Sequence, residues 1–212
     1  MKGKLKLICT ITLVMALLPV DLSSQSARLD VPYYKQGKDT LWAEELLGKN
    51  SSLTIRTHGC ALTCISMITS HFSESSFTPS DLNQWLQNHD GFREGWEGKT
   101  YLGEVNIYWP AMTAFDQGYV YTRHDWKAQP ADLVLIKYYL DKGKPVIAEV
   151  LYQGAPHYVV LTGYDENGFF MNDPEFPEQH LLNDVYNISD HWGSGAARNI
   201  YGIRVLYPTP SS

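Results

Sequence analysis

The sequence predicts an α+β fold, with helices in the first half of the chain and antiparallel strands in the second half. Between residues 57 and 91, apolar runs and capping signals indicate two successive helices. After residue 144, three β-rich runs follow one another, and "DENG", a hairpin signal, separates the last two. Roughly 185 residues after the N-terminal segment suffice for one core, so residues 28–212 are expected to form a single domain.

Boundary signals place the helices. The segment "CALTCISMITSH", which begins at Cys60, is predominantly apolar along one face. The segment "FTPSDLNQWLQNHDG" begins a helix with Thr78 as N-cap, Pro79 in the first turn and Asp81 three residues after the cap. "WPAMTAF" predicts one or two further turns, and "QPADLVLIKYYLDKGK" predicts an amphipathic helix that ends at Gly143.

Aromatic and β-branched runs place the strands. "RLDVPYYKQ" predicts an extended entry segment, followed by a long irregular connection to residue 57. Two stretches rich in glycine and aromatic residues are expected to be loops beside a cleft: "DGFREGWEGKTYLGEVNIYW" and "NISDHWGSGAARN". The predicted strands are "GYVYTRHDW", "PVIAEVLY", "PHYVVLTGYD", "GFFMNDP" and "NIYGIRVLYP".

The N-terminus has the pattern of a signal peptide. Lys2, Lys4 and Lys6 precede about fourteen mostly apolar residues, which is the length of a signal-peptide apolar region rather than of a bilayer span. Small and polar residues follow, and cleavage is expected between residues 20 and 28. We predict a signal peptide over residues 1–27 and a secreted or cell-envelope protein without a membrane span after cleavage; an uncleaved signal anchor is the alternative.

The chain is acidic. It carries 17 Lys and Arg against 23 Asp and Glu, and loss of residues 1–27 would remove three lysines and Asp21. The remaining 14 basic and 22 acidic residues give a net charge of about −8. This charge argues against nucleic acid and anionic lipid as partners. A monomer is the default expectation.

Cys60 and Cys64 are the cysteines that remain after such cleavage. Exported proteins usually tie their thiols into disulfides, but residues four apart on one helix are badly placed for that bond. A helix N-terminus stabilises a thiolate, and Gly59 lets the chain turn sharply into the helix. We therefore interpret Cys60 as a nucleophile and Cys64 as a buried packing residue. The pair is a poor zinc signal, so no metal or other cofactor is expected.

A cysteine nucleophile needs a base, and the base needs a group that orients it. His157 begins one strand of the predicted hairpin, and Asp173 follows the other strand sixteen residues later. Antiparallel pairing would bring the two side chains together. A tetrahedral oxyanion also needs donors: the backbone N–H of Cys60 is one, and the side-chain amide of Gln36 is the candidate for the other. The alternative for Gln36 is an ordinary surface glutamine.

The order of these motifs resembles the papain-like cysteine peptidases related to bacteriocin leader-processing peptidases. The similarity runs from about Leu29 to Pro174 and rests mainly on "GCALTC" and "HYVVLTGYD…NDP". It implies a papain-like fold, with a nucleophile helix packed on an antiparallel sheet that bears histidine and aspartate. For this sequence it implies the following roles: Cys60 as nucleophile, His157 as general base and acid, Asp173 as the orienting carboxylate and Gln36 as oxyanion donor.

Two differences from that family limit what the resemblance implies. Cys64 stands where related sequences often have serine or another small residue. The leader-processing enzymes are typically fused to a membrane transporter with an ATPase, which this sequence lacks, so their double-glycine leader substrate is not carried over.

The sequence thus predicts an exported cysteine peptidase that hydrolyses amide bonds in a peptide or protein, cell-wall peptides included. Two alternatives stay open. The same catalytic residues would serve a peptidoglycan amidase or endopeptidase, or an acyl transferase. The domain could also be an inactive surface binding module that keeps the fold.

Overall fold

The computed structural model describes residues 28–126, 129–176, 181–186 and 199–210. The predicted signal peptide lies outside these residues, as does most of the predicted loop "NISDHWGSGAARN". In chain order the elements are α1 (Ile55–His58), α2 (Cys60–Phe72), α3 (Pro79–Asn88), β1 (Phe92–Glu97), β2 (Thr100–Ile107), a 3-10 helix (Trp109–Ala114), β3 (Tyr119–Asp125), α4 (Leu133–Asp141), β4 (Val146–Tyr152), β5 (Ala155–Asp165), β6 (Gly168–Asn172), α5 (Leu182–Tyr186) and β7 (Gly202–Pro208). In the described ranges, no helix is both long and apolar enough to cross a bilayer.

A five-stranded antiparallel sheet forms the centre of the molecule and confirms the predicted α+β class. Its strand order is β3-β7-β4-β5-β6. Strand β5 joins β6 through the predicted hairpin, in which Asp165 pairs with Gly168 across a two-residue turn. The last strand, β7, inserts between β3 and β4, so the C-terminal part of the chain is integral to the sheet.

Helices cover both faces of this sheet. On one face, α2 packs with α1, α3 and the 3-10 helix against the sheet residues Ile147 and Val160. On the other face, α4 and α5 pack against Ala148 and Val159. Neighbouring residues of one strand therefore point to opposite layers, as the pleat of a β-strand requires. The sheet is buried on both sides, which explains the nearly continuous apolar runs of β4 and β5.

Helix α2 is more deeply buried than the predicted apolar face implies. Nine consecutive residues, Leu62 to Ser70, are buried, so the helix is enclosed on all sides. Two of its hydroxyl side chains are accommodated because they bond to the preceding turn. Ser66 donates to the carbonyl of Leu62 and Thr69 to that of Ile65, each at 3.1 Å. This burial fixes the position of Cys60 at the start of the helix.

Helix α3 begins as predicted. The Thr78 hydroxyl accepts from the Asp81 N–H at 3.3 Å, and the Asp81 carboxylate accepts from the Thr78 N–H at 2.9 Å. This is a reciprocal capping box, and it confirms the N-cap assignment.

The prediction of a loop after α3 is wrong over most of residues 90–109, because this stretch contains the hairpin of β1 and β2. The two strands turn at Gly98, which has a φ of 60°, and two register shifts interrupt their pairing. Most of their residues are exposed or half-buried. Trp96 and Tyr101 pack on each other at the exposed end, with ring centroids 5.1 Å apart. The two exposed faces explain why the sequence lacks the alternation of a half-buried strand.

Candidate active site

Cys60 is the first residue of α2, where the leading N–H groups of the helix have no intrahelical acceptor. Gly59 separates α2 from the short helix α1 and has a φ of −86°, which any residue can adopt. Steric crowding, rather than backbone conformation, requires glycine here, since a Cβ atom would lie 2.4 Å from the carbonyl oxygen of Ile55. The expectation of a sharp, glycine-dependent turn is therefore corrected. The absence of a side chain at Gly59 leaves room for Ile55 of α1.

His157 and Asp173 are brought together by the β5–β6 hairpin, as predicted. The imidazole Nε2 lies 2.9 Å from Oδ1 of Asp173, and both side chains are buried, with relative exposures of 6% and 1%. The Cys60 side chain lies close enough to the imidazole to help raise its pKa, and both residues line the same cleft. Because Nε2 is engaged by Asp173, Nδ1 is the nitrogen left for the sulfur. The three side chains thus lie next to one another in the order Cys60, His157 and Asp173.

Opposing influences set the pKa of His157. Burial is the largest of them and lowers the pKa, because the imidazolium ion loses contact with water. Hydrogen bonds to Asp173 and Cys60, together with the negative charges of these groups, outweigh burial and raise the pKa from 6.5 to about 10. The site therefore favours a protonated His157 at neutral pH.

Asp173 is held by more donors than His157 alone. Its Oδ1 also accepts from the backbone N–H of Glu175 at 2.8 Å and, more weakly, from that of Phe176 at 3.4 Å. Its Oδ2 accepts from the hydroxyl of Tyr186, a buried residue at the end of α5. Burial and the Asp173 charge raise the pKa of Tyr186, so the hydroxyl stays protonated and donates.

Tyr186 is a site residue that the sequence did not predict. It lies in the segment after Pro174, beyond the region of resemblance, and no local pattern connects it with Asp173. The structure shows that this segment contributes to the site as well as to the sheet. Its contact depends on the packing of α5 against the sheet, which one sequence does not reveal.

Gln36 is buried, at 5% exposure, so the surface alternative is wrong. The extended entry segment runs beside the hairpin, and the backbone N–H of Gln36 donates to the carbonyl of Pro174 at 3.0 Å. Its side-chain Nε2 donates to the carbonyl of Arg56 at 3.1 Å, on the helix just before Cys60. These two anchors hold the amide between the two sides of the site. An amide nitrogen has two hydrogens, so one stays available for another acceptor.

An open cleft of about 310 Å³ is lined by three of the four predicted residues. Cys60, His157 and Gln36 all line it, and Asp173 lies buried behind His157. Tyr152 forms one wall, with its ring 5.9 Å from the imidazole, and Glu175 contributes a carboxylate. The cleft lies within the volume range of small-molecule sites and leaves the thiol accessible from solvent.

Cys64 lies directly below this cleft and is fully buried, which confirms its assignment as a packing residue. Its sulfur donates to the backbone carbonyl of Tyr158 at 3.2 Å, so it links α2 to the strand residue next to His157. Burial raises its pKa, and the charges of Cys60 and Asp173 raise it further. Neither Cys60 nor Cys64 forms a disulfide.

A cysteine at the start of an enclosed helix, facing a histidine and an aspartate from an antiparallel sheet, is the arrangement expected of a papain-like cysteine peptidase. The fold and the predicted packing are therefore confirmed. The sequence profile of the Peptidase_C39 like family matches residues 28–196, so the chain belongs to that family. The match extends past residue 174, where we expected the resemblance to end. This membership indicates a cysteine peptidase.

Comparison with solved structures finds a crystal structure of a Bacillus anthracis protein described as a candidate C39-like peptidase. It shares 12% sequence identity with this chain and has a TM-score of 0.49. The match covers 88% of this chain and all of the other chain. No curated protein matches the sequence.

Proposed function

We propose that the protein is an exported cysteine peptidase that hydrolyses amide bonds through Cys60, His157 and Asp173. The observation that carries this proposal is the buried hydrogen bond between His157 and Asp173 next to Cys60, which lines the same open cleft as His157. Family membership supports the same chemistry. The substrate is a peptide or protein with an extended segment that can lie in the cleft.

Before the reaction, the proton of the Cys60 thiol has moved to His157, and the high pKa of that imidazole favours this transfer. The thiolate attacks the carbonyl carbon of the scissile bond, and a carbon–sulfur bond forms. Asp173 holds the imidazolium in place through Nε2, so the Nδ1 proton points toward the reacting atoms. His157 then gives this proton to the leaving amine as the carbon–nitrogen bond breaks.

The tetrahedral intermediate carries a negative oxygen. The backbone N–H of Cys60 and the second Nε2 hydrogen of Gln36 are the donors that we assign to it. The carbonyl of Arg56 fixes the orientation of the Gln36 amide before the substrate arrives, which avoids a reorganisation cost during the reaction. In the second half of the reaction, His157 takes a proton from water, and the resulting hydroxide releases the acyl group from sulfur.

Export is the second part of the proposal. It rests on the basic start and the apolar stretch of residues 1–27, whose length fits a signal peptide better than a membrane span. Expression of the full chain in a secreting host, followed by N-terminal sequencing of the protein from the medium or envelope, tests it. A mature N-terminus between residues 20 and 28 is the expected result. Retention of Met1 on a cytoplasmic protein would contradict it.

The catalytic proposal is tested by the reactivity of the thiols toward iodoacetamide as a function of pH. We expect Cys60 to be alkylated rapidly even at about pH 6, where an ordinary thiol reacts slowly because little thiolate is present. The His157→Ala variant should lose this acid reactivity. Cys64, buried in the same chain, is the internal control and should stay unmodified in the folded protein. The modified residue is identified by mass spectrometry.

A substrate screen follows, with the Cys60→Ala variant as the control for contaminating peptidases. Cleavage of peptides or of peptidoglycan stems by the wild type alone would establish hydrolysis. If Cys60 reacts no faster than an ordinary thiol, and His157→Ala changes nothing, the catalytic assignment fails. The inactive binding module then becomes the better description.

A further inference from the structure

A second cavity, of about 320 Å³, lies near the far end of α2. Thr69 of that helix and Ser73, the residue that follows it, form part of the lining. Thr69 follows Cys60 by nine residues, which at 1.5 Å per residue places it about 14 Å further along the helix axis. This cavity is therefore separate from the catalytic cleft. Its remaining lining residues are Phe77, Trp85, Phe115, Asp116 and Tyr119.

Aromatic rings dominate the wall of this cavity. Phe115 is central: its ring centroid lies 4.8 Å from that of Phe77, 5.0 Å from that of Trp85 and 5.7 Å from that of Tyr119, each pair edge to face. His89 stacks flat against Trp85 at 4.1 Å and helps to fix the orientation of its ring. The cavity wall is thus largely aromatic, and neighbouring side chains hold its rings in place.

One carboxylate accompanies these rings. Asp116 is exposed, and none of the ion pairs in the described part of the chain involves it. It lies near enough to Tyr119 for its negative charge, after burial, to help raise the pKa of that phenol to about 12. The cavity therefore combines several aromatic rings with a carboxylate that forms no ion pair among the described residues. An apolar ligand would gain nothing from that carboxylate, whereas a cation gains from both features.

We propose that this aromatic cavity binds an alkylammonium group, either a quaternary ammonium head group or the side chain of a lysine. Ring faces attract such cations through their quadrupoles, and a nearby carboxylate adds a direct charge interaction. The volume exceeds what a single methylated ammonium group requires, so part of the attached chain fits as well. Such a site would hold a target at a second point away from Cys60. It does not depend on the catalytic proposal.

The test measures binding to the Cys60→Ala protein, so that no turnover interferes and failure of catalysis leaves the result interpretable. Choline and 3,3-dimethylbutan-1-ol are titrated and followed by NMR shifts of the Trp indole N–H groups. The alcohol is the uncharged isostere of choline. We expect saturable choline binding in the millimolar range, at least about fivefold tighter than binding of the alcohol. Nα-acetyl-lysine methylamide serves as the lysine probe.

The Asp116→Asn variant should lose about fivefold in affinity for the cation and leave the affinity for the alcohol unchanged. Asp39→Asn is the matched control, because Asp39 is also exposed and has a similar left-handed backbone, with φ 72° against 51° at Asp116. It makes the same change in net charge and should bind choline like the parent. Tighter binding of choline than of the lysine probe identifies a quaternary head group as the ligand, and the reverse identifies lysine.

Three results would each overturn the proposal. The first is equal affinity for choline and its uncharged isostere, which would show an apolar pocket without charge selection. The second is equal choline binding by the Asp116→Asn and Asp39→Asn variants. The third is the absence of saturable binding by either cationic probe.

Discussion

Replacement of Tyr186 by phenylalanine tests how Asp173 is held. The substitution removes one oxygen and keeps the ring, which packs 6.2 Å from the imidazole of His157. In the part of the chain that the structure describes, the Tyr186 hydroxyl is the donor found on Oδ2 of Asp173. The other three donors all reach Oδ1. Phenylalanine therefore leaves one oxygen of a buried carboxylate without a protein donor.

The expected cost follows from the charge of the acceptor. A hydrogen bond to an ionised group contributes about 1.5–3 kcal/mol net, and at 1% exposure Asp173 has little access to compensating water. We expect a loss of about 2 kcal/mol, or roughly 4–8 °C in Tm for a domain of this size. If about half of that energy supports the orientation of His157, the alkylation of Cys60 slows about fivefold.

Tyr164→Phe is the matched control, because Tyr164 also donates to an aspartate, Asp141, at 2.9 Å. That bond lies at the surface, and its loss should change stability by no more than about 0.5 kcal/mol. Urea denaturation and the iodoacetamide rate at Cys60 are measured on both variants. Equal stability of the two variants, with unchanged Cys60 reactivity in each, would refute the assigned role of Tyr186.

Three further predictions concern the support of the site. Arg204→Met should cost about 3–5 kcal/mol in urea denaturation, because Arg204 is 3% exposed and pairs with buried Glu149 at 2.9 Å. Joint replacement of Arg204 by Met and Glu149 by Leu should recover most of that loss, and no recovery would contradict the prediction. Gly59→Ala should lower Tm and Cys60 reactivity, since its Cβ would lie 2.4 Å from the Ile55 carbonyl oxygen, and a wild-type Tm would show that the helix junction relaxes freely. The unfolding free energy should fall as pH rises from about 6.5 to about 10, because folded His157 keeps a proton that the unfolded chain has lost. The His157→Gln variant should lack this decline. The same dependence of unfolding free energy on pH in both proteins would argue against the raised pKa of His157.

Local patterns predicted the residues that lie on regular elements. Cys60 was placed by a glycine before an apolar helix, and the proximity of His157 and Asp173 followed from the hairpin signal between their strands. The hydrogen bond between them confirms that proximity. These inferences succeed because strand pairing and helix starts depend on short stretches of sequence.

Other features depend on packing between distant segments. Tyr186 reaches Asp173 only because α5 docks on the sheet, and no spacing along the chain encodes that contact. The β1–β2 hairpin escaped prediction because both of its faces are largely exposed, which removes the apolar alternation that identifies a strand. Gly59 was recognised as important for a reason that the structure corrects, since the crowding by Ile55 appears only once α1 is folded.

The thiol of Cys64 can report how often α2 separates from strand β5 in the folded protein. A reagent reaches this thiol only when α2 separates from the strand that carries Tyr158 and His157. Cys60, four residues away, faces the open cleft and is labelled in the same sample. Under slow-labelling conditions, the Cys64 rate relative to that of an ordinary exposed thiol measures the free energy of that separation. One labelling experiment thus counts competent sites and also reports how firmly the nucleophile is held against its base.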